Sequence, residues 1–320
     1  MLRKVLASVA ALVATGGAVV AQSYPTRQIT FVVPFAAGGP VDNSGRAFAE
    51  AMRRQLKSTI VIENRPGAGG IVATRAVIAA KPDGYTLLIG SAGPLVIAPA
   101  AGVKGVDAGT QLAMVGLINE SPQIVVASTT VKAETLKDFV AFAKASGGKV
   151  NYGSAGIGTM PHLAGELFKS IAGIDMLHVP YRGTGAALPD LLSGRNHILF
   201  GDITAVLPMV EAGRLRAYAI TGTQRSELAP KIPTTAEAGL PQLVTRNWNA
   251  LVGPVGLPAP VVGRLVEAMS AASKDKDYLE AMRKQGSVPI ASSPAHLAQY
   301  MDAERKRLEP IVQRIGLKLE

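Results

Sequence analysis

Residues 29–63 read ITFVVPFAAGGPVDNSGRAFAEAMRRQLKSTIVIE. Ile29 to Val33 is a short run rich in β-branched and apolar residues, as in a strand buried on both faces. Pro34 to Gly39 interrupts it with a loop. From Ser44 to Leu56 the apolar residues return at helical spacing, and Thr59 to Glu63 forms a second strand. Beyond this stretch, NRPGAGG (64–70) is a turn, Ile71 to Ala80 a helix, and KPDG (81–84) a turn into the strand Tyr85–Ile89. A β-α-β-α-β order implies a parallel sheet with helices on both faces.

The pattern restarts after Ser121-Pro122. Strands are expected at Ile124–Ala127, Val150–Tyr152, His178–Tyr181, His197–Phe200 and Arg216–Thr221, with a helix at Thr135–Lys144. Prolines then crowd the chain from Pro230 to Pro260, a region that reads as loops and short elements. Two C-terminal helices follow, the last opened by Ser293 as N-cap and Pro294 at the first helical position. The expected division is 22–122 with 222–320 as one discontinuous domain and 123–221 as the other. Residues 1–21 stand apart: Arg3 and Lys4 precede the apolar Val5–Ala21, and small residues lead to Gln22, as in a signal peptide cleaved after about Ala21. The stretch is shorter than the ~20 residues of a spanning helix. Export to a periplasm is the expectation.

Composition narrows the chemistry. There is no cysteine, which removes disulfides, thiol catalysis and cysteine-ligated zinc. The net charge is +10, but the basic residues are dispersed along amphipathic runs. Aromatic residues make up 5% of the chain, too few for base-stacking platforms, so no nucleic-acid partner is expected. No two histidines sit at metal-binding spacing, there is no HExxH or EF-hand loop, and neither a metal nor a cofactor is expected.

The second half carries YGSAGIGTMPHLAGELF (152–168), three glycines, a serine, a threonine and a histidine before a helix-like run. Its glycines are spaced G-x-x-G-x-G, wrong for a dinucleotide fingerprint, and no Walker lysine follows. Ser154 lacks the glycine two residues upstream that a nucleophile elbow needs, and His162 lies eight residues on, a poor place for its base. An exported serine hydrolase using Ser154 or Ser91 stays open as an alternative. The remaining reading is anion binding without chemistry. A helix start offers unpaired N–H groups and a partial positive charge, and glycines admit a ligand to that backbone. Ser154 and Thr159 would add hydroxyl donors. GSAG recurs at 90–93 and PFAAGG stands at 34–39, each after a strand. Gly-rich loops at strand ends in both halves suggest a crevice lined from two domains.

These motifs, in this order, resemble the Bug-type extracytoplasmic receptors of tripartite tricarboxylate transporters, from Tyr24 to Gly316. The matching blocks include YPTRQITFVVPFAAGGPVD (24–42), ENRPGAGG (63–70), KPDGYTLLIG (81–90), YGSAGIGTMPHLAGELFK (152–169) and HVPYRGTGAALPDLLSG (178–194). The resemblance implies an α/β, two-domain periplasmic-binding-protein fold of type II-like form, closing over a small carboxylate, with no catalytic residues. The ligand would be a di- or tricarboxylate, an aromatic acid or an amino acid. It further implies that the loop carrying Phe35, Ala36, Gly38, Gly39 and Asp42 faces the loop carrying Ser154, Gly156, Gly158 and Thr159, with His162 beside it. Ser91, Ala92, Tyr181 and Gly183 would line the remaining wall. The implied partners are membrane transporter subunits or, alternatively, a sensor kinase, and the receptor itself is expected to be a monomer. Two stretches depart from the family pattern. Residues 94–113 are less aromatic than usual, and RNHILFGDI (195–203) places His197 and Gly201 where acids are common. Asp202, next to them, either meets a ligand amine or caps a helix.

Overall fold

The computed structural model describes residues 24–319; the expected signal peptide lies outside them. Ten strands are present among the described residues: β1 (Ile29–Val33), β2 (Ile60–Asn64), β3 (Thr86–Ser91), β4 (Leu112–Ser128), β5 (Asn151–Ser154), β6 (Leu177–Pro180), β7 (Ile198–Asp202), β8 (Leu215–Ile220), β9 (Arg246–Pro254) and β10 (Val288–Pro289). The main path runs β2-β1-β3-β9-β4-β7-β5-β6, with β8 and β10 also pairing with β4.

The 17-residue β4 organises the molecule. Its first part, Leu112–Pro122, pairs antiparallel with β9. Its second part, Gln123–Ser128, pairs antiparallel with β7 and β8. One strand therefore serves two sheets, and Pro122-Gln123 is the crossing. β1 pairs in parallel with β2 and β3, and β5 in parallel with β6 and β7. Each unit thus has parallel strands on its outer side and antiparallel pairing along β4, not the wholly parallel sheet that the β-α-β order implies.

Alternation along β1 places its side chains. Ile29, Phe31 and Val33 pack beneath the helix Pro40–Leu56 with Phe48 and Met52, while Val32 faces the opposite layer with Leu88 and Trp248. Fully burying one such side chain contributes about 1.5–3 kcal/mol. The helix begins at Pro40, earlier than the periodicity indicates, because proline at the first helical position needs no N–H partner. The second sheet is likewise covered on both faces, by Phe139 and Phe168 on one side and Leu191 and Val206 on the other.

Two expectations are corrected. Residues 246–254 are a central, buried strand rather than loop. Asn247 and Asn249 disguise it, and those polar side chains find partners inside. The segment 222–245 belongs with the second unit, because Ala229 and Leu243 fill that unit's two cores. The chain recrosses near Thr245-Arg246, where Thr245 donates to the Gln123 side chain at 2.6 Å and its carbonyl accepts from Thr221 at 2.7 Å. The last helix, Pro294–Arg314, opens on Ser293 as its side-chain cap, as the sequence indicates. It spans the seam: Leu297 and Leu308 share a cluster with Trp248 of the first unit and with Met160 and Leu163 of the second.

Candidate ligand-binding cleft

The C-terminal ends of β1, β3, β5 and β6 deliver the Gly-rich loops to one region. A Cβ built on Gly70 would lie 3.0 Å from Pro34 and 3.1 Å from Pro94, so the 67–70 turn packs against the loops after β1 and β3. A Cβ on Gly93 would lie 3.3 Å from the Gly158 carbonyl oxygen. The loops of the two units are therefore in contact, and the arrangement is a closed one.

On the first side, Asp42 holds the loop instead of facing the cleft. It is 1% exposed. One carboxylate oxygen accepts from the Gly38 N–H at 2.9 Å and from Arg46 Nε at 2.9 Å, and the other from Asn64 at 2.8 Å. Burial alone would raise its pKa. The bonds from Arg46, Gly38 and Asn64 outweigh that and hold it below the ordinary carboxylate value. Asn64 also donates to the Phe35 carbonyl. Ala36 and Gly38 stay exposed at the loop tip, and Phe35 and Gly39 are half-buried. The N–H groups of Ala36, Ala37 and Val41 have no protein acceptor among the described residues. The loop thus offers backbone donors at the start of a helix, kept in place by a buried acid. Ser91 is half-buried at the end of β3, but the Ala92 methyl belongs to the core and does not line the wall.

On the second side the side chains also face inward. Ser154 is fully buried. Its Oγ accepts the Gly156 N–H at 3.1 Å and shares a 2.7 Å hydrogen bond with His178 Nε2. Thr159 Oγ1 donates to the Gly156 carbonyl at 2.7 Å. His162, 5% exposed, accepts the Gly158 N–H at Nδ1, which puts its own proton on Nε2 in the neutral ring. Gly156 and Gly158, at φ of 132° and 73°, have a backbone that side-chain-bearing residues rarely adopt. Ser154, Thr159 and His162, expected to touch ligand, make these hydrogen bonds within and behind their own loop.

Behind the loop lies a stack that sequence spacing did not reveal. The rings of His162 and His178 lie 4.0 Å apart at 16°, and Tyr152 lies 4.9 Å from His178. Burial, with Lys169 nearby, lowers the His162 pKa to about 4. Burial and the facing His162 lower that of His178 to about 3. Both rings are therefore neutral at pH 7. His178 is invisible in sequence because it sits on another strand, β6, whose Pro180 is registered with Ser154.

The third wall follows β6. Gly183 donates to the Ala155 carbonyl, which docks the 181–184 turn onto the serine loop. The hydroxyl of Tyr181 donates to Asp190 at 2.6 Å and accepts from Asn196 at 2.8 Å, so its polar end is engaged away from the turn. The helix Thr184–Leu192 starts there, with the N–H groups of Thr184, Gly185 and Ala186 free of protein acceptors among the described residues. Asp202, at the end of β7, accepts from Thr184 Oγ1 at 2.9 Å and from Asn247 of β9 at 2.9 Å. It makes no side-chain cap to the helix that follows it. It joins the two units beside the β4 crossing. Burial raises its pKa above the ordinary value, partly offset by the bonds from Thr184 and Asn247. Gly201 permits this contact: a Cβ there would lie 2.7 Å from the Thr184 methyl. His197 sits at the opposite end of the strands, accepting the Asn151 N–H at 3.0 Å.

Paired loops at strand ends, two helix starts with free amides and a two-sheet frame crossed by one strand describe a solute-binding cleft. Residues 45–317 match the family model of the tripartite tricarboxylate transporter family receptor. The chain belongs to that family. It is 32% identical to protein BugT of Bordetella pertussis, over 99% of both chains. Among solved structures it superposes on MatC of Rhodopseudomonas palustris with bound malate at a TM-score of 0.79, with 32% identity, covering 90% of this chain and all of that one. An R. palustris structure with adipate gives 0.80 and 31%, covering 92% and 99%. The receptor thus stands among periplasmic solute-binding proteins, not enzymes. Ser154, one of the two serines of the hydrolase alternative, has no exposed surface.

Proposed function

We propose that the receptor captures a small organic carboxylate, most closely a linear dicarboxylate, between its two units and delivers it to the membrane subunits of a tripartite transporter. One observation carries this reading. The loops that converge on the cleft present backbone N–H groups at two helix starts, Pro40–Leu56 and Thr184–Leu192, one from each unit. A carboxylate at each end of a short acid matches two such sites, since helix starts bind anions through unpaired amides and the helix dipole. Arg182, exposed in the 181–184 turn, adds positive charge at the rim. The malate and adipate found in the two relatives are both dicarboxylates, which supports the assignment. Ligand touching both units would stabilise the closed arrangement by its contacts to each, shifting the population from an open form.

Native mass spectrometry of gently purified protein, followed by a thermal-shift series of four- to six-carbon mono- and dicarboxylates, tests the proposal. A ligand at a hundred times its Kd adds about 2.7 kcal/mol to stability, so a cognate dicarboxylate raises the melting point by several degrees. Equal shifts for monocarboxylates of the same length would overturn the two-ended assignment. An X-ray scattering profile unchanged by a bound ligand would overturn the closure step.

A further inference from the structure

A second cavity, of about 700 Å³, lies between the helix Met160–Ala172 and residues 314–318. None of the loops Pro34–Gly39, Ser91–Pro94 or Tyr181–Thr184 lines it, and the serine loop contributes only Ile157, so it lies behind the cleft and opens on another face. Its charge is one-sided. Lys169, Arg314 and Lys318 line it against a single carboxylate, Glu166. That carboxylate is already engaged by the Tyr152 hydroxyl at 2.6 Å and by Lys169 Nζ at 3.1 Å. Arg314 reaches across the seam to Ser170 Oγ at 2.6 Å, and among the described residues neither it nor Lys318 forms an ion pair. A further donor stands in the inner wall. His162 lines the cavity while 5% exposed, its Nδ1 is committed to Gly158, and its Nε2–H has no protein acceptor among the described residues. Beside the polar Ser170 and His178, the lining has an apolar part: Ile157, half exposed, with Ile174, Ile315 and Leu317.

We propose that this cavity is a second binding site, for an organic anion whose phosphate or carboxylate head lies among Arg314, Lys318 and His162 and whose apolar body covers Ile157, Ile174 and Ile315. The volume far exceeds that of a lone inorganic anion, and three isoleucines facing a cationic end match an amphiphilic molecule. Its walls come from both units, because the C-terminal helix packs on the first and the helix Met160–Ala172 belongs to the second. An occupant therefore bridges the seam. It also touches His162, which holds the Gly158 amide of the serine loop, so occupancy bears on the jaw of the cleft.

Isoleucine-methyl NMR reads the site directly. Phenyl phosphate and hexanoate are titrated into the protein, with inorganic phosphate as the head-only probe. Saturable shifts are expected at Ile157, Ile174 and Ile315, with the better of the two organic probes reporting which head group is preferred. Lys318→Gln, which leaves the Arg314–Ser170 bond in place, should weaken binding about tenfold, the loss of one charge-assisted contact. Arg314→Gln with Lys318→Gln should abolish it. Lys81→Gln with Lys276→Gln, both exposed and carried by the first unit outside the cavity lining, removes the same net charge and should leave binding unchanged. The proposal is overturned by no shift at these three methyls, by equal weakening in the Lys81/Lys276 control, or by inorganic phosphate binding as tightly as phenyl phosphate.

Discussion

The stacked imidazoles make the receptor acid-sensitive in a window where carboxylates scarcely titrate. An unfolded histidine has a pKa near 6.5, whereas burial, with Lys169 nearby, lowers His162 to about 4, and burial with the facing His162 lowers His178 to about 3. Below pH 6.5 the unfolded chain therefore binds protons that the folded one refuses, and stability falls with pH until the folded values are reached. Between pH 7 and pH 5, His162 alone accounts for a loss of about 2 kcal/mol. His178 is only half-buried, so solvent screening discounts its share to about 1 kcal/mol, giving about 3 kcal/mol for the pair. Urea unfolding followed by circular dichroism at pH 7 and pH 5 measures the difference. In the double variant His162→Gln, His178→Gln the difference should shrink by about that amount. Asp202, whose raised pKa works in the opposite direction, and His197 titrate in both proteins and cancel in the comparison. A double variant with the wild-type pH slope would refute the reasoning, because the protons would then be taken up elsewhere.

Three further outcomes are expected. Gly165→Ala places a Cβ 2.2 Å from Cε2 of the fully buried Tyr152. Overpacking of about 1–3 kcal/mol should outweigh the helix-propensity gain of about 1 kcal/mol, lowering the urea midpoint at constant m-value. Asp42→Ala leaves the Gly38 amide, Asn64 and Arg46 without their shared acceptor. Ligand affinity by calorimetry should fall about 10- to 100-fold, with faster hydrogen exchange at Gly38, and unchanged affinity would assign the acid to stability alone. Asp202→Ala strands Thr184 and Asn247 and should cost about 1–3 kcal/mol in unfolding free energy, with Asp202→Asn costing less.

Much of the frame was legible because hydrophobic periodicity is local. The β1 run, the Pro294 helix start and the Gly-rich loops after strands all stand in the structure where the sequence puts them, within a few residues. What escaped reading was non-local. β9 carries Asn247 and Asn249, which look like loop residues until Asp202, Ser44 and Asn119 supply their partners from across the sheet. Residues 222–245 have the proline content of a linker, and only their packing shows which unit they join. The hydrogen-bond partners of the expected site residues were likewise illegible. A serine, a threonine or an acid beside glycines reads as a ligand contact, and nothing in the chain order shows that its partner is the next amide or a histidine on another strand.

That inward turn of the polar side chains has a physical consequence for recognition. A carboxylate held by lysine would meet strong but poorly directional attraction, and one held by lysine or arginine would carry a large desolvation cost on closing. Backbone amides bring fixed direction and no side-chain entropy to lose, provided the loop that carries them is already ordered. Asp42 supplies that order on one side, and Ser154, Thr159 and His162 supply it on the other, each spending its hydrogen-bonding capacity on its own loop. Under the proposed function, specificity among acids rests on the spacing between two prearranged amide clusters, one in each unit. That spacing is set by how far the units close, and so by the seam residues Asp202 and Asn247 and by the C-terminal helix more than by any side chain that touches the ligand.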